Sequence, residues 1–162
     1  GYVKDLHGAK NMYYQVNATY YSALGESDAR LLLARAIQLF MPGKPQVWYL
    51  DLFAGRNNHA AVEKAGSGGH KEINRTNLSP VDVAAVLTAP VVQRQLELLR
   101  FRNTFGAFGF DATCELAQTA ADQLHITWSR NGNTATLAAD LAATSFVITA
   151  TDASGGAVSF SS

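Results

Sequence analysis

A proline-bounded apolar run, Gly43-Lys44-Pro45-Gln46-Val47-Trp48-Tyr49-Leu50-Asp51-Leu52-Phe53-Ala54-Gly55, constrains this chain more than any other stretch. From Val47 to Phe53 every side chain but Asp51 is aromatic, branched or long and apolar. Such a run reads as a strand buried on both faces, as in parallel sheets. It empties into a polar loop that ends at Gly68-Gly69-His70-Lys71-Glu72-Ile73-Asn74-Arg75. In α/β folds the loop leaving the C-terminal end of a buried strand is where binding and chemistry are placed. Upstream, Ser27 caps a helix predicted over 28–40. There Leu33, Ile37 and Phe40 recur at i, i+4 and i+7, flanked by Leu32, Ala36 and Leu39. Met41-Pro42-Gly43 stops that helix. Helix followed by buried strand is a unit of the parallel α/β kind.

The rest of the chain divides by pattern. Residues 1–25 hold Tyr2, Tyr13, Tyr14, Gln15, Asn17, Tyr20 and Tyr21 without a helical or strand period, which reads as loop with a short turn of helix. Tyrosines beside amides suit sugar recognition, since ring faces cover C–H surfaces and amides bind hydroxyls. Ordinary loop packing accounts for them as well. Asn57 to Lys64 has room for one or two helical turns, and Ala65 to Gly69 is a connector. Ser79-Pro80-Val81-Asp82 starts a helix that runs to about Leu87. Thr88-Ala89-Pro90 starts another to about Asn103, with Val92, Leu96 and Leu99 as its apolar stripe. Beyond Phe105 a period of 2 takes over: Leu124, Ile126 and Trp128 alternate with His125, Thr127 and Ser129. Asn131-Gly132 then predicts a two-residue hairpin turn. Four to five antiparallel strands are predicted over about 112–161, packed through one face.

Composition narrows the function. The chain has 162 residues, is 48% hydrophobic and 16% charged, and carries no net charge, which gives no footing for nucleic acid or an anionic membrane surface. No apolar run reaches the roughly 20 residues that span a bilayer. One cysteine, Cys114, allows no internal disulfide and suits a cytoplasmic protein. His7, His59, His70 and His125 have no metal-binding spacing, so neither metal nor cofactor is expected. Gly66 to Gly69 lacks the Lys-Ser/Thr of a phosphate loop, and no nucleophile elbow occurs. Asp51 and Glu72 are the one carboxylate pair that could share a cleft mouth. A strand-end aspartate bound to a basic residue or to backbone is the simpler reading of Asp51.

The run Tyr14-Gln15-Val16-Asn17-Ala18-Thr19-Tyr20-Tyr21-Ser22-Ala23-Leu24-Gly25 carries more than composition. It resembles the Tyr-Gln-Val-Asn-x-Thr-Tyr-Tyr-x-Ala-Leu-Gly segment of the sucrose phosphorylase-like branch of the α-amylase superfamily. Leu33 to Gln38, Pro42 to Tyr49, Ala54 to Asn57, Ile73 to Arg75 and Arg102-Asn103 continue the resemblance in order, over about residues 11 to 110.

The resemblance implies a fold of class α/β plus all-β. Residues 1–105 would be the C-terminal segment of a catalytic (β/α)₈ barrel, ending in its last helix and strand with following helices. Residues 106–162 would form a small antiparallel C-terminal domain. It implies a retaining α-glucoside phosphorylase that moves glucose from sucrose or a related α-glucoside to inorganic phosphate, giving α-glucose 1-phosphate. The catalytic carboxylates would lie upstream, so no catalytic residue is expected in this chain and the chain alone is expected to be inactive. A barrel of this kind takes about 250 residues, against about 110 before the β-module.

Binding residues are expected instead. Tyr14 and Gln15 match a mobile loop that reaches the sugar and phosphate sites. Lys71 stands where the family's Gly-Arg-Asp-Ile-Asn-Arg has an arginine contacting the donor glucose. Lysine keeps the charge but loses the planar fork. Met12 replaces an aspartate that sucrose-specific members carry, and Lys10 or His7 would favour an anionic acceptor. The expected partners are an α-glucoside and phosphate, with no nucleic acid, no membrane, and a homodimer as an option. An amylase-type hydrolase and a non-catalytic carbohydrate-binding module are the competing readings. The Thr, Ser and Ala of the sheet's outer face lack the aromatic platform such a module uses.

Overall fold

The computed structural model describes residues 2–5 and 13–162, with side chains from Val16 onward. Met12, Lys10 and His7 therefore lie outside the described residues. In chain order the elements are β1 (Tyr2–Asp5), β2 (Tyr13–Asn17), α1 (Tyr20–Ala23), α2 (Asp28–Phe40), α3 (Tyr49–Leu52) and α4 (His59–Ala65). A 3₁₀ helix (Gly69–Asn74), α5 (Pro80–Val86) and α6 (Pro90–Thr104) follow. The strands β3 (Thr113–Ala120), β4 (Gln123–Arg130), β5 (Asn133–Asp140), β6 (Ser145–Thr151) and β7 (Ala157–Ser161) complete the chain. They fall into two compact units, one of Gly1–Asp28 and Val47–Gln93, the other of Ala29–Gln46 and Arg94–Ser162.

The second unit is a five-stranded antiparallel meander, β3-β4-β5-β6-β7, with helical residues on one face. The alternation read from the sequence is what the register delivers: Ile126 opposes Leu137, which opposes Ile148, all three at most 1% exposed. Asn131 and Gly132 have φ of 48° and 78°, so the hairpin turn needs the two residue types that tolerate positive φ most readily. Leu33, Ala36, Leu39 and Phe40 of α2, and Leu98 and Phe101 of α6, close the core over the sheet. The indole Nε1 of Trp128 donates to the Phe40 carbonyl at 2.7 Å, tying the sheet to the last turn of α2. The Arg102 guanidinium lies over the Phe108 and Trp128 rings, 4.2 and 5.1 Å from their centroids, and donates to the Leu39 carbonyl at 2.7 Å.

Helix faces are turned relative to the sequence reading. In α6 the buried positions are Val91, Val92, Gln95, Leu98 and Phe101, while Leu96 and Leu99 are half-buried. The cause is a polar contact: Gln95 Oε1 accepts from Arg35 Nε at 2.9 Å, and both side chains are at most 1% exposed. Hydrophobic periodicity cannot register a stripe whose centre is an arginine–glutamine pair.

Tight turns put carboxylates to structural use. Asp152 Oδ1 accepts from Ser154 Oγ at 2.6 Å and from the Ser154 and Gly156 amides at 2.8 Å. The Ser154 side-chain bond, then these backbone bonds, hold its pKa below the ordinary carboxylate value. A carboxylate depressed in the folded state stabilises above its unfolded pKa, and the contribution is lost as pH falls through the folded one. Asp152→Asn, which keeps an acceptor oxygen but cannot titrate, is therefore expected to flatten the loss of stability below about pH 4. Urea midpoints measured from neutral to acid pH check this; parallel curves for parent and variant would contradict it.

The first unit corrects two expectations. The stretch 47–53 is not a buried strand: residues 44–48 have no regular structure, and Tyr49–Leu52 is a helical turn. No strand pairs with it among the described residues, so a ladder cannot form and its backbone bonds close locally. Leu52 N reaches the Trp48 carbonyl at 3.0 Å and Gly55 N the Leu50 carbonyl at 2.8 Å. Only Leu50 of this helical turn is buried, and Trp48 is 51% exposed. The second correction concerns residues 1–25: β1 and β2 pair as an antiparallel hairpin, with Val3 opposite Val16. The short helical turn expected there is α1, capped by Thr19, whose side chain accepts from Ser22 N. The capping box at Ser79 and Asp82 forms as read, and α4 and α5 fall where the breakers placed them.

Candidate sugar-binding loop

The first unit gathers the residues proposed to hold sugar. Tyr14 and Gln15 lie on β2, opposite Lys4 at Gln15, and β2 lies against the 3₁₀ helix that carries Lys71. That helix is built from a glycine connector. Gly66 and Gly68 take φ of 66° and 87°, ending α4 and reversing the chain into the 3₁₀ turn. Gly69 permits the close approach that follows, since a Cβ there would sit 2.5 Å from Ala65 Cβ and 3.1 Å from the Val62 carbonyl oxygen. Ile73, fully buried, anchors the helix, and its carbonyl accepts from Asn58 N at 2.8 Å.

Lys71 shares its 3₁₀ helix with His70 and Glu72. Glu72 is drawn to Arg75 at 3.7 Å, and Lys71 forms no ion pair among the described residues. His70, next along the same helix, has a buried Nε2 without a hydrogen-bond partner among the described residues. A buried polar atom of that kind costs free energy unless some further group meets it. The sequence offered no signal for it, because a histidine in a polar loop reads as solvated.

The Asp51–Glu72 pair does not form an acid–base site here. Asp51 Oδ1 accepts from the Tyr20 amide at 2.7 Å, the backbone role that was the simpler reading, and Glu72 is engaged with Arg75. Trp48 and Tyr49 likewise serve the backbone. The indole donates to the Asn74 carbonyl at 3.3 Å and the Tyr49 hydroxyl to the Thr76 carbonyl, so the two rings, 4.9 Å apart, pin the exit of the 3₁₀ helix.

A cavity of about 500 Å³ in the second unit is lined by Lys44, Arg102, Phe108, Phe110, Cys114 and Trp128 among others, and among the described residues no Asp or Glu lines it. Burial pushes the Cys114 thiol above its ordinary pKa, with Arg102 opposing, so it is not an activated nucleophile. Among the described residues no cluster of His, Cys, Asp and Glu is placed to hold a metal, and no helix is long and apolar enough to cross a membrane.

The first unit thus sets Lys71 on a glycine-built 3₁₀ helix beside β2, with Asp51 and Glu72 engaged in structural contacts. Comparison with known proteins identifies relatives. No family model matches the chain. It is 58% identical over 152 residues to sucrose 6(F)-phosphate phosphorylase of Ilumatobacter coccineus, covering 92% of this chain and 29% of that protein. It is 42% identical over 128 residues to the protein of the same name from Thermoanaerobacterium thermosaccharolyticum, covering 79% of this chain and 25% of that one. The crystal structure of sucrose 6F-phosphate phosphorylase from Thermoanaerobacter thermosaccharolyticum superposes with a TM-score of 0.88 at 35% identity, over 98% of this chain and 32% of that one. The chain belongs with the sucrose phosphorylase-like enzymes and corresponds to their C-terminal part. It spans less than a third of the length of these relatives.

Proposed function

We propose that this chain is the C-terminal part of a retaining α-glucoside phosphorylase acting on sucrose 6F-phosphate or a closely related α-glucoside. The glucosyl C1–O bond to the leaving sugar breaks, a C1–O bond to inorganic phosphate forms, and α-glucose 1-phosphate is released with the leaving sugar protonated. The observation that carries this reading is the 58% identity, over 92% of the chain, to a protein named for that activity. In this reading residues 1–105 belong to the catalytic domain and 106–162 form the antiparallel C-terminal domain. The carboxylates that make and break the glycosidic bond lie in the remaining part of the enzyme. A cytoplasmic setting and a homodimer are compatible with it.

Tyr14, Gln15 and Lys71 are the sugar- and phosphate-binding residues in this proposal. Lys71 is supported by the absence of a competing carboxylate partner among the described residues and by its place on a helix beside β2. In the whole enzyme, Lys71→Ala is expected to raise KM for the glucosyl donor by about tenfold with a smaller effect on kcat. Lys71→Arg, which keeps the charge and adds the fork, is expected to stay near the parent. Release of glucose 1-phosphate and of free glucose from sucrose 6F-phosphate and from sucrose is the assay. Hydrolysis without phosphorolysis would replace this reading with the amylase-type one.

A further inference from the structure

The stretch that follows β2 is held by side chains rather than by its own secondary structure. Three consecutive residues are gripped, each by a different residue from the distant 51–74 stretch. The Ala18 carbonyl accepts from Asn74 Nδ2 at 3.2 Å. The Thr19 amide donates to Asn57 Oδ1 at 2.7 Å. The Tyr20 amide donates to Asp51 Oδ1 at 2.7 Å. Asn57 also donates its own amide to Ser22 Oγ at 3.0 Å, extending the grip into α1. Asn17 and Thr19 are each 1% exposed and Ala18 and Tyr20 are half-buried, so this backbone is partly shielded from water and is satisfied by these partners.

The three gripping residues sit where they can couple two pieces of the sugar site. Asn74 is the last residue of the 3₁₀ helix carrying Lys71. Asn57 precedes the Asn58 cap of α4, whose own amide is tied to Ile73 of that helix. Asp51 lies in α3, next to Leu50, which is buried. The residues gripped begin immediately after β2, the strand of Tyr14 and Gln15.

We infer that Asp51, Asn57 and Asn74 are positioning residues that fix β2, and with it Tyr14 and Gln15, at a set distance from Lys71 by clamping the backbone of residues 18–20. The inference rests on the reading of Tyr14, Gln15 and Lys71 as the sugar-binding residues. A hairpin tied only by β1 can slide or lift. One tied by three side-chain bonds at its exit cannot do so without breaking them. Displacements of about an ångström in binding groups are enough to cost on the order of a hundredfold in rate.

The test uses the whole enzyme, with kcat and donor KM measured separately and thermal midpoints recorded beside them. Asp51→Ala, Asn57→Ala and Asn74→Ala are each expected to lower kcat/KM by about tenfold, mostly through KM. Asp51→Asn keeps the acceptor oxygen for the Tyr20 amide and is expected within about twofold of the parent. Asn74→Ala removes a single bond of 3.2 Å and covers the case in which Asp51→Ala does not fold. The inference is overturned if the folded alanine variants keep the parent KM, or if Asp51→Asn is as impaired as Asp51→Ala. It is overturned too if activity falls only with the folded fraction. Lys71→Ala run in parallel separates the two layers. If it raises KM while the clamp variants do not, positioning fails alone; if it leaves KM unchanged, the site reading itself fails. Where the enzyme hydrolyses rather than phosphorolyses, the same KM comparison is made on hydrolysis.

Discussion

Trp128→Ala is expected to lower the unfolding free energy of the chain by about 3–5 kcal/mol, the range for truncating a buried aromatic side chain. Trp128 is 5% exposed and lies at the centre of a ring cluster, 5.8 Å from Phe108 and beneath the Arg102 guanidinium. Truncation removes three contributions together. The apolar contact with the core is lost, the Arg102 cation loses one of its two ring faces, and the Phe40 carbonyl loses its donor at 2.7 Å. Trp128→Phe separates them, because it keeps much of the apolar volume and loses the donor. It is expected to cost about 1–3 kcal/mol. Urea unfolding followed by far-UV circular dichroism checks both variants. A Trp128→Ala midpoint equal to the parent's would show that the sheet is not held to α2 through this ring.

Gln95→Leu is the second large effect, expected at about 2–4 kcal/mol. The reason is what stays behind. Arg35 is 1% exposed, its Nε donates to Gln95 Oε1 at 2.9 Å, and a second nitrogen donates to Gln38. Leucine deprives a buried cation of an acceptor in a region that water does not reach. Pairing it with Arg35→Met removes the charge as well, and the double variant is expected to recover half or more of the loss, since buried polar sets can be replaced by apolar residues of similar volume. A double-mutant cycle reads this as coupling between the two positions. If the two losses simply add, the contact between α2 and α6 is not what makes Gln95 buried.

These two effects show where sequence patterning stops. The period of 2 in β4 and β5, the Asn131-Gly132 turn and the Ser79–Asp82 cap are set by backbone geometry within a few residues. They were legible for that reason. Arg35 and Gln95 were not, because each is polar and its burial depends on a partner 60 residues away. The strand expected at 47–53 failed for a related reason. An apolar run specifies that a segment be covered, whereas a strand also needs neighbours to complete its ladder. With none beside it among the described residues, the run closes into the turn Tyr49–Leu52.

The candidate site divides the same way. The proposal that Tyr14, Gln15 and Lys71 belong to a sugar site comes from the order of matching residues, a one-dimensional property. Which groups hold them does not. Asp51 reads in the sequence more simply as bound to a basic residue or to backbone than as a candidate acid, and only its 2.7 Å bond to the Tyr20 amide identifies the backbone it serves. Asn57 and Asn74 read as loop residues, and only the fold brings them to Thr19 and Ala18. Sequence alone determined the elements whose hydrogen bonds close locally, and the family whose residues recur in order. Tertiary structure decided which polar side chains are buried and what each one holds, because those bonds join residues that the chain keeps far apart.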